Sequence, residues 1–356
     1  MLGLNIKLPV WQAPMAGVTT PELVAAACRS GVLGSIGAGY LSGEKTEEFI
    51  QRVKKQTNAP FSVNLFVPEP VHTAEGQVAK ANKLLAPYLE EVGRSPVAEP
   101  VISSSFEEQL AVVVQEKVEV CSFTFGLPPQ AAIKELKNNG IITVGTATTV
   151  DEAKACEKAG MDAIVVQGSE AGGHRGTFQA PENMIGLMSL LPQVVQEVSV
   201  PVVAAGGLMN GQGVAAALCL GASAAQMGTA FLVTEESGAH PLHKEAVLTA
   251  SETDLVYTKA FTGKTAQGLS NRFTEGLKGQ ERELPPYPLQ HVLTAELRKK
   301  AGELNKKELM SLWSGQSPRL SRQQTVDELV RKLEEEIEEA LFAANGVMQN
   351  AKRTNR

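Results

Sequence analysis

The chain has few cysteines, no long apolar run and no excess of basic residues, and each absence excludes a class of protein. Its 356 residues include four cysteines, none in a C-x-x-C pair, so neither a disulfide framework nor a thiolate zinc site is expected. No apolar stretch reaches the length that spans a membrane. With 33 Lys and Arg against 39 Asp and Glu, a net charge of −6, the chain lacks the basic surface that nucleic acid or an anionic membrane attracts.

These absences are typical of a soluble protein from a reducing compartment. The N-terminal residues contain no apolar run followed by a cleavage site, so a cytoplasmic location is expected. The hydrophobic fraction of 43% is enough for a sizeable core. Apolar or small neighbours predict that all four cysteines are buried, reduced thiols: Cys28, Cys121, Cys156 and Cys219.

Short apolar runs alternate with helical patterns through residues 1–230. Eight of these runs predict strands: LPVWQAP, LGSIGAG, FSVNLFV, VEVCSFTF, IITVGTA, DAIVVQ, PVVAAGG and ASAAQMG. They are nearly continuous in Val, Ile and Ala, as strands of a parallel sheet covered on both faces are. Eight is the number that closes a (β/α)8 TIM barrel of the α/β class. An open, doubly wound sheet is the alternative.

Two parts of the chain depart from this rhythm. Prolines interrupt two helical stretches at about 68–117, which predicts an inserted helical segment or a degenerate barrel unit. Residues 231–356 are irregular and helical, and we expect them to form a C-terminal extension packed on the barrel.

The last helix has a clear start and an apolar stripe. Thr325 and Glu328 have the spacing of a capping box. The stripe, which repeats every four residues, consists of Leu329, Leu333, Ile337 and Leu341. We expect this helix to dock on the barrel, with a contact between two copies in a homodimer as the alternative.

Polar and glycine residues follow the predicted strands at their carboxyl ends, where barrels carry their active sites. They are Ala13, Pro14 and Met15 after the first strand, Asn64 in the third, Gln167 at the end of the sixth, Gly206 and Gly207 after the seventh, and Gln226, Met227, Gly228 and Thr229 at the eighth. Glycines after the last two strands let the backbone approach a phosphate closely, and Thr229 adds a hydroxyl. Tight turns alone are the alternative.

The stretch QGSEAGGHRG places a histidine behind two glycines. Gly172 and Gly173 keep side chains off this loop, so a flat ligand could lie against it, and His174 is expected on a mobile turn. With a reference pKa near 6.5 it can accept a proton at cellular pH. A hydrogen-bonded loop histidine is the alternative. His240 and His243 have no acidic or thiol partners nearby, so no metal site is expected.

These segments together resemble a known family. QAPMAGVTTPEL, SVNLFVP, QGSEAGGHRGTF, PVVAAGG, AAQMGTAFL and SLWSGQSPRLSR are similar to segments of the nitronate monooxygenases, formerly 2-nitropropane dioxygenases. GVTTPEL, NLFVP and the long C-terminal tail resemble the class I members. The resemblance covers nearly the whole chain, although EAGGH is shared with a flavin-dependent enoyl-acyl-carrier-protein reductase family.

The resemblance implies an FMN-dependent monooxygenase on a TIM barrel that detoxifies alkyl nitronates. O₂ oxidises the nitronate, with propionate 3-nitronate as the suggested substrate, to a carbonyl compound and nitrite. An FMN- and NAD(P)H-dependent enoyl reductase is the first alternative, and a non-catalytic barrel that binds a phosphorylated ligand is the second.

Residue by residue, the resemblance implies that His174 is the general base for nitroalkane substrates. It implies FMN contacts from Asn64, Gln167 and Gly172, with Met15 lining the flavin, and Ala13, Pro14 and Gly173 adjoin these contacts. The cradle for the phosphate and the isoalloxazine ring is matched by Gly206, Gly207 and Gln226 through Thr229. Tyr287 offers an aromatic hydroxyl near the substrate, while Phe106 replaces an aromatic residue that carries a hydroxyl elsewhere in the family.

Overall fold

A computed structural model describes residues 2–71, 73–102, 104–179 and 181–354. The strands of this part of the chain are β1 (Val10–Gln12), β2 (Gly34–Gly37), β3 (Phe61–Phe66), β4 (Val120–Thr124), β5 (Ile142–Ala147), β6 (Ala163–Gln167), β7 (Gly173–His174), β8 (Val202–Ala205), β9 (Ala224–Met227), β10 (Leu255–Thr258) and β11 (Ala266–Leu269).

The helices of the same residues alternate with the strands and then follow them. They are α1 (Pro21–Arg29), α2 (Gly43–Lys54), α3 (Gln77–Glu91), α4 (Phe106–Gln115), α5 (Gln130–Asn138), α6 (Val150–Ala159), α7 (Leu187–Glu197), α8 (Gly211–Cys219), α9 (Thr229–Leu232), α10 (Pro241–Thr249), α11 (Arg272–Gly276), α12 (Leu289–Leu293), α13 (Ala295–Glu303) and α14 (Val326–Thr354). No helix of the described residues is long and apolar enough to cross a membrane.

Eight parallel strands close into a barrel. They pair in the order β1-β9-β8-β6-β5-β4-β3-β2, and a bridge between Trp11 and Leu33 joins the two ends. All eight predicted strands are present, so the prediction of a TIM barrel is confirmed and the alternative prediction of an open sheet is wrong.

The barrel interior changes from apolar to polar along its axis. Its lower layers hold Trp11, Leu33, Val120, Val144, Ala163, Val165, Val203 and Ala224. Side chains two residues further along a strand point the same way. At the carboxyl ends these inward positions are mostly polar, with Ala205 as an apolar member: Asn64, Ser122, Thr124, Thr146, Gln167 and Gln226. This end of the barrel can bind a polar ligand.

The chain between β3 and β4 contains two helices with different partners. α4 packs on β3 and α2, as a barrel helix does, whereas α3 packs on α13 of the C-terminal part. That part also contains an antiparallel hairpin of β10 and β11, which the sequence pattern did not predict. We keep the division into barrel, insertion and C-terminal extension as a proposal, with α4 assigned to the barrel.

α14 begins at the predicted capping box. The Thr325 N–H donates to Glu328 Oε2 at 2.9 Å, and the Glu328 N–H donates to Thr325 Oγ1 at 3.3 Å. The helix packs on α8 and α1, which confirms the predicted docking. Leu329, Leu333 and Ile337 are buried, but Leu341 is 41% exposed, so the stripe ends one turn earlier than predicted.

Three of the four cysteines are buried, as predicted: Cys28, Cys121 and Cys156. Burial raises the pKa of the Cys28 and Cys156 thiols to about 12, so both remain protonated. The prediction for Cys219 is wrong, because it is exposed. It shares the outer face of α8 with Gln212 and Ala216, at helical spacing.

Candidate active site

His174 lies on a short strand at the mouth of the barrel. β7 pairs antiparallel with β11, which places His174 opposite Ala266 and Gly173 opposite Gln267. The next residue, Arg175, donates its N–H to the Thr265 carbonyl at 2.8 Å. The expected mobile turn is therefore wrong, since the C-terminal hairpin holds the histidine backbone on one side.

The end of β6 holds the same segment on the other side. The Gln167 amide donates to the His174 carbonyl at 3.0 Å and accepts the Gly176 N–H at 2.8 Å. Arg175 Nη1 donates to the Gln167 carbonyl at 2.6 Å. The Gln167 side chain, predicted as an FMN contact, is thus already bonded to the histidine loop, and the backbone of His174 is fixed from two directions.

A buried threonine fixes the ring of His174. The ring Nε2 lies 2.9 Å from Thr262 Oγ1, and Thr262 is only 2% exposed. The hydroxyl has one proton, which it donates to the Lys264 carbonyl at 3.2 Å. We therefore assign the ring proton to Nε2, which donates to Thr262, and the lone pair to Nδ1.

Aromatic rings and two cations surround the imidazole. The ring centroids of Trp313, Phe125 and Tyr287 lie 5.5, 5.8 and 6.3 Å from that of His174. Burial and the charges of Lys264 and Arg298 lower the pKa of His174 to about 3. The expectation of an ordinary histidine pKa is therefore wrong for His174. Its ring is neutral at cellular pH and has a free lone pair.

A second group of side chains, Tyr40, Tyr287, His291 and Arg298, adjoins this ring, and we call it the Arg298 cluster. Tyr40 stacks on His291 at 4.3 Å between ring centroids. Arg298 Nη2 donates to the His291 carbonyl at 3.0 Å and to its Nδ1 at 3.1 Å. Burial, followed by the charge of Arg298, lowers the pKa of His291 to about 3, so this ring is also neutral and accepts from the guanidinium.

The two glycines after β8 have backbone that only glycine adopts easily, whereas Gly228 after β9 has a φ of −106° that other residues also adopt. Gly206 and Gly207 have φ values of +127° and +68°, in the region that favours glycine. A Cβ on Gly228 would lie 3.6 Å from the Ala13 Cβ and 4.0 Å from the Met15 Sδ. The loops after β1 and β9 therefore meet, as the sequence predicted, whereas Gly206 and Gly207 lie against the loop after β6, at Gly168, Glu170 and Ala171.

A segment that sequence reasoning did not assign to the site, Trp313–Ser317, covers these glycines. The Gly315 N–H donates to Thr229 Oγ1 at 2.9 Å. The Ser317 Oγ lies 3.7 Å from the position of a Cβ on Gly207. A Cβ on Gly172 would lie 2.5 Å from the Gly315 nitrogen, so Gly172 is needed for packing against this segment. His243 donates to the Trp313 carbonyl at 2.9 Å and holds the segment from behind.

The remaining predicted residues divide by side-chain direction. Asn64 points inward and donates to Ser122 Oγ at 3.0 Å and Thr124 Oγ1 at 3.1 Å. Ala13, Pro14, Met15, Gly173 and Gln226 are half-buried at the mouth.

Two expectations are corrected. Met227 is 1% exposed and packs outside the barrel against the helices, so only its backbone can contact a ligand. Phe106 is buried between α4 and the barrel beside Phe123. It therefore does not replace an active-site hydroxyl.

The chain is similar over nearly its whole length to several known proteins. The family model described as nitronate monooxygenase matches residues 2–336. The chain is 49% identical over 346 residues to a "Probable nitronate monooxygenase" of Staphylococcus haemolyticus, covering 95% of this chain and 96% of the relative. A solved nitroalkane oxidase from Streptomyces ansochromogenes has a TM-score of 0.90 and 41% identity, covering 96% and 98% of the two chains. FabK from Thermotoga maritima has a TM-score of 0.78 and 30% identity, with 97% of each chain covered.

Proposed function

We propose, from the premise that this chain belongs to the nitronate monooxygenase family, that it uses FMN and O₂ to oxidise alkyl nitronates to carbonyl compounds and nitrite. The family makes it an oxidoreductase that acts on nitronates. The finer proposal rests on the state and position of His174. It is a neutral imidazole held rigidly at the mouth of a polar barrel, beside a glycine cradle.

The residues of the barrel mouth fit FMN. Gly206 and Gly207 leave the backbone open to a phosphate. Because the Thr229 hydroxyl accepts the Gly315 N–H, its own proton is free to be donated to a phosphate oxygen. Gly228 lies beside Ala13 and Met15, which gives a flat ring an apolar surface. When it is bound, FMN would supply electron transfer from the nitronate and the reaction with O₂.

The role of His174 is to accept the α-proton of a neutral nitroalkane. The nitro group takes up the charge left on carbon, so the product is the nitronate anion, and the proton moves to Nδ1. Thr262 keeps Nδ1 unprotonated before the reaction, because its hydroxyl accepts a hydrogen bond from the Nε2 N–H. The new anion lies beside the new imidazolium and stabilises it, which offsets the effect of burial on the ring.

The lowered pKa of His174 leads to a prediction on pH dependence. Protonation inactivates the base, and the pKa of its ring lies at about 3. We therefore expect kcat/KM for a nitroalkane to stay level as the pH falls from about 7 to about 5, because this parameter reports ionisations of the free enzyme. The profile is measured with the flavin-loaded protein at constant flavin content. An acid limb with its midpoint near the ordinary histidine value of about 6.5 would contradict the neutral, desolvated ring.

A second prediction concerns the identity of the flavin. We propose that the cradle holds one terminal phosphate, with the Thr229 hydroxyl as a donor, and the chain has no G-x-G-x-x-G motif for a dinucleotide. Acid denaturation should therefore release FMN, bound noncovalently with one molecule per chain, as determined by chromatography against standards. FAD in the supernatant, or folded protein that takes up no added flavin, would refute this cofactor assignment.

The second candidate function is the FMN- and NAD(P)H-dependent enoyl reductase, which the EAGGH resemblance favours. FabK is the structural match that we associate with this candidate. It is 30% identical to the chain, against 41% for the nitroalkane oxidase and 49% for the probable nitronate monooxygenase, so we rank this candidate second. Parallel assays separate the two. We expect O₂ consumption and nitrite with a nitronate, and no substrate-dependent NADH or NADPH oxidation with an enoyl thioester.

A further inference from the structure

Phe125 is a buried residue in a backbone conformation that bulky side chains rarely adopt. Its φ is +74°, and it is 2% exposed. The next residue, Gly126, would adopt a positive φ without strain, yet it is not among the glycines that have one. The other non-glycine residues of the described chain with a positive φ are not buried: Leu2, Lys117 and Asn305. Strain of this kind persists only where the surrounding structure enforces it.

The strained backbone reverses the direction of the Phe125 side chain. Along β4, Phe123 packs outside the barrel against the helices, whereas Thr124 points inward to Asn64. Continued alternation would turn residue 125 outward, but its ring centroid lies 5.8 Å from that of His174. The positive φ therefore brings an apolar ring to the mouth of the barrel.

The Phe125 ring contacts both the imidazole and an ion pair that solvent reaches. It meets the His174 ring at an interplanar angle of 84°. The Lys264 ammonium lies 4.7 Å from the centre of the Phe125 ring. Lys264 pairs with Glu69, whose side chain is 28% exposed, so water is available on this side of the site. An apolar ring in this position covers the imidazole against that water.

We propose that Phe125 is a positioning residue for the proton transfer: its ring keeps water away from the His174 imidazole, which leaves the base neutral and its lone pair free. The other two aromatic residues beside the imidazole, Trp313 and Tyr287, carry an N–H and a hydroxyl, so Phe125 is the wholly apolar one of the three. The inference rests on the proposed function in one respect, which is that His174 accepts a proton from the substrate.

The charges around His174 set the direction of the expected change. The titratable and charged groups that face the imidazole are Lys264 with its partner Glu69, between β10 and β11, and Tyr287, His291 and Arg298. Burial is the largest cause of the lowered pKa of His174, ahead of the two cations. Water beside the imidazole favours its charged form. Removal of the Phe125 ring should therefore raise the pKa of His174, while the cations keep it below the ordinary value of about 6.5.

The test is the titration of His174 in the flavin-loaded protein, followed by NMR with ¹⁵N-labelled histidine. The chain has five histidines, and the signals of His174 are assigned by their absence in His174→Asn. In Phe125→Ala we expect the proton affinity of the ring to rise roughly 10–100-fold. At pH 5 the ring should then be about 10–50% protonated, against about 1% in the parent, whose pKa is about 3.

Two further variants control this measurement. Phe123→Ala removes the same ring from a residue of β4 that is 0% exposed and packs outside the barrel. It should melt earlier than the parent and leave the titration of His174 unchanged. Phe125→Gly removes the ring together with the strain, because glycine adopts a positive φ freely. It should melt later than Phe125→Ala, titrate in the same way and carry the test if the alanine variant does not fold.

The pH dependence of turnover provides a second readout. In Phe125→Ala and Phe125→Gly, kcat/KM for a nitroalkane at pH 4 should fall to about one half to one tenth of its value at pH 7. The parent should retain about nine tenths. A loss by the same factor at every pH would give Phe125 a merely structural role and overturn the proposal.

The NMR titration separates this inference from the proposed function, because it needs no substrate. A raised proton affinity in both Phe125 variants without nitroalkane oxidation by the parent would support the role of Phe125 and refute the proposed function. Normal nitroalkane oxidation with an unchanged titration in both variants would do the reverse. An equal rise of the proton affinity in Phe123→Ala would also overturn the proposal, since it would assign the effect to a general loosening of the barrel.

Discussion

Replacing His174 with Asn should separate the two forms of the substrate. We expect activity on neutral nitroalkanes to fall by roughly 10²–10⁴-fold, the usual weight of general base catalysis. Activity on preformed nitronates should survive much better, because these anions have already lost the proton that the imidazole accepts. Both activities are measured as nitrite release at matched flavin content, since Gly172 and Gly173 lie beside the substitution.

Thr262→Val provides a matched control for this prediction. The substitution keeps the side-chain shape and removes the hydroxyl that accepts the Nε2 proton of His174. It should lower nitroalkane activity to a smaller extent and leave nitronate activity near that of the parent. If His174→Asn lowers both substrate forms by the same factor with FMN retained, His174 positions the substrate and is not its base. If activity on neither substrate form changes, the segment from Gly172 to His174 has only a structural role.

Replacing Gly207 with Asp should abolish FMN binding. The φ of this residue is +68°, and a Cβ there would lie 3.0 Å from the Glu170 Cβ. The new carboxylate would therefore project beside Glu170 and repel the phosphate that the cradle is proposed to hold. In thermal melts the parent should gain about 2.7 kcal/mol at an FMN concentration of 100 times the Kd, and the variant should gain nothing.

Gly207→Ala separates the charge effect from strain. Alanine introduces the same Cβ at the same positive φ, which costs on the order of 1–2 kcal/mol, but it adds no charge. We expect this variant to melt earlier than the parent and still respond to FMN. Equal flavin content in Gly207→Asp and the parent would show that the phosphate lies elsewhere. An equal loss of flavin in both variants would assign the effect to the backbone and leave the phosphate position unsupported.

The barrel could be predicted from the sequence because each of its strands is a local signal. The eight strands are short apolar runs separated by helical patterns, and their carboxyl ends meet in any parallel barrel. This is why the sequence alone assigns Ala13, Asn64, Gln167, Gly206 and Gly228 to one end of the barrel. The direction of Met227 could also be predicted, since Gln226 points inward and neighbours on a strand alternate.

The parts of the site that sequence patterns do not indicate come from distant segments of the chain. Thr262 is 88 residues from His174, and Gly315 is 86 residues from Thr229. A strand of two residues, such as β7, has no periodicity to detect, and its partner β11 lies in a region whose pattern is irregular and helical. The sequence also does not indicate the direction of Phe125, because alternation along β4 would turn its ring outward, whereas its φ of +74° turns it towards His174.

One measurement tests the proposed function most directly. Flavin-loaded protein is mixed with preformed propionate 3-nitronate without air, its visible absorption is recorded, and air is then admitted while nitrite is counted. We expect the flavin band to bleach on mixing, to return with O₂, and to accompany steady nitrite release with no NADH or NADPH present. A band that the nitronate leaves unchanged, but that NADPH bleaches and an enoyl thioester restores, would contradict nitronate oxidation and establish the reductase instead.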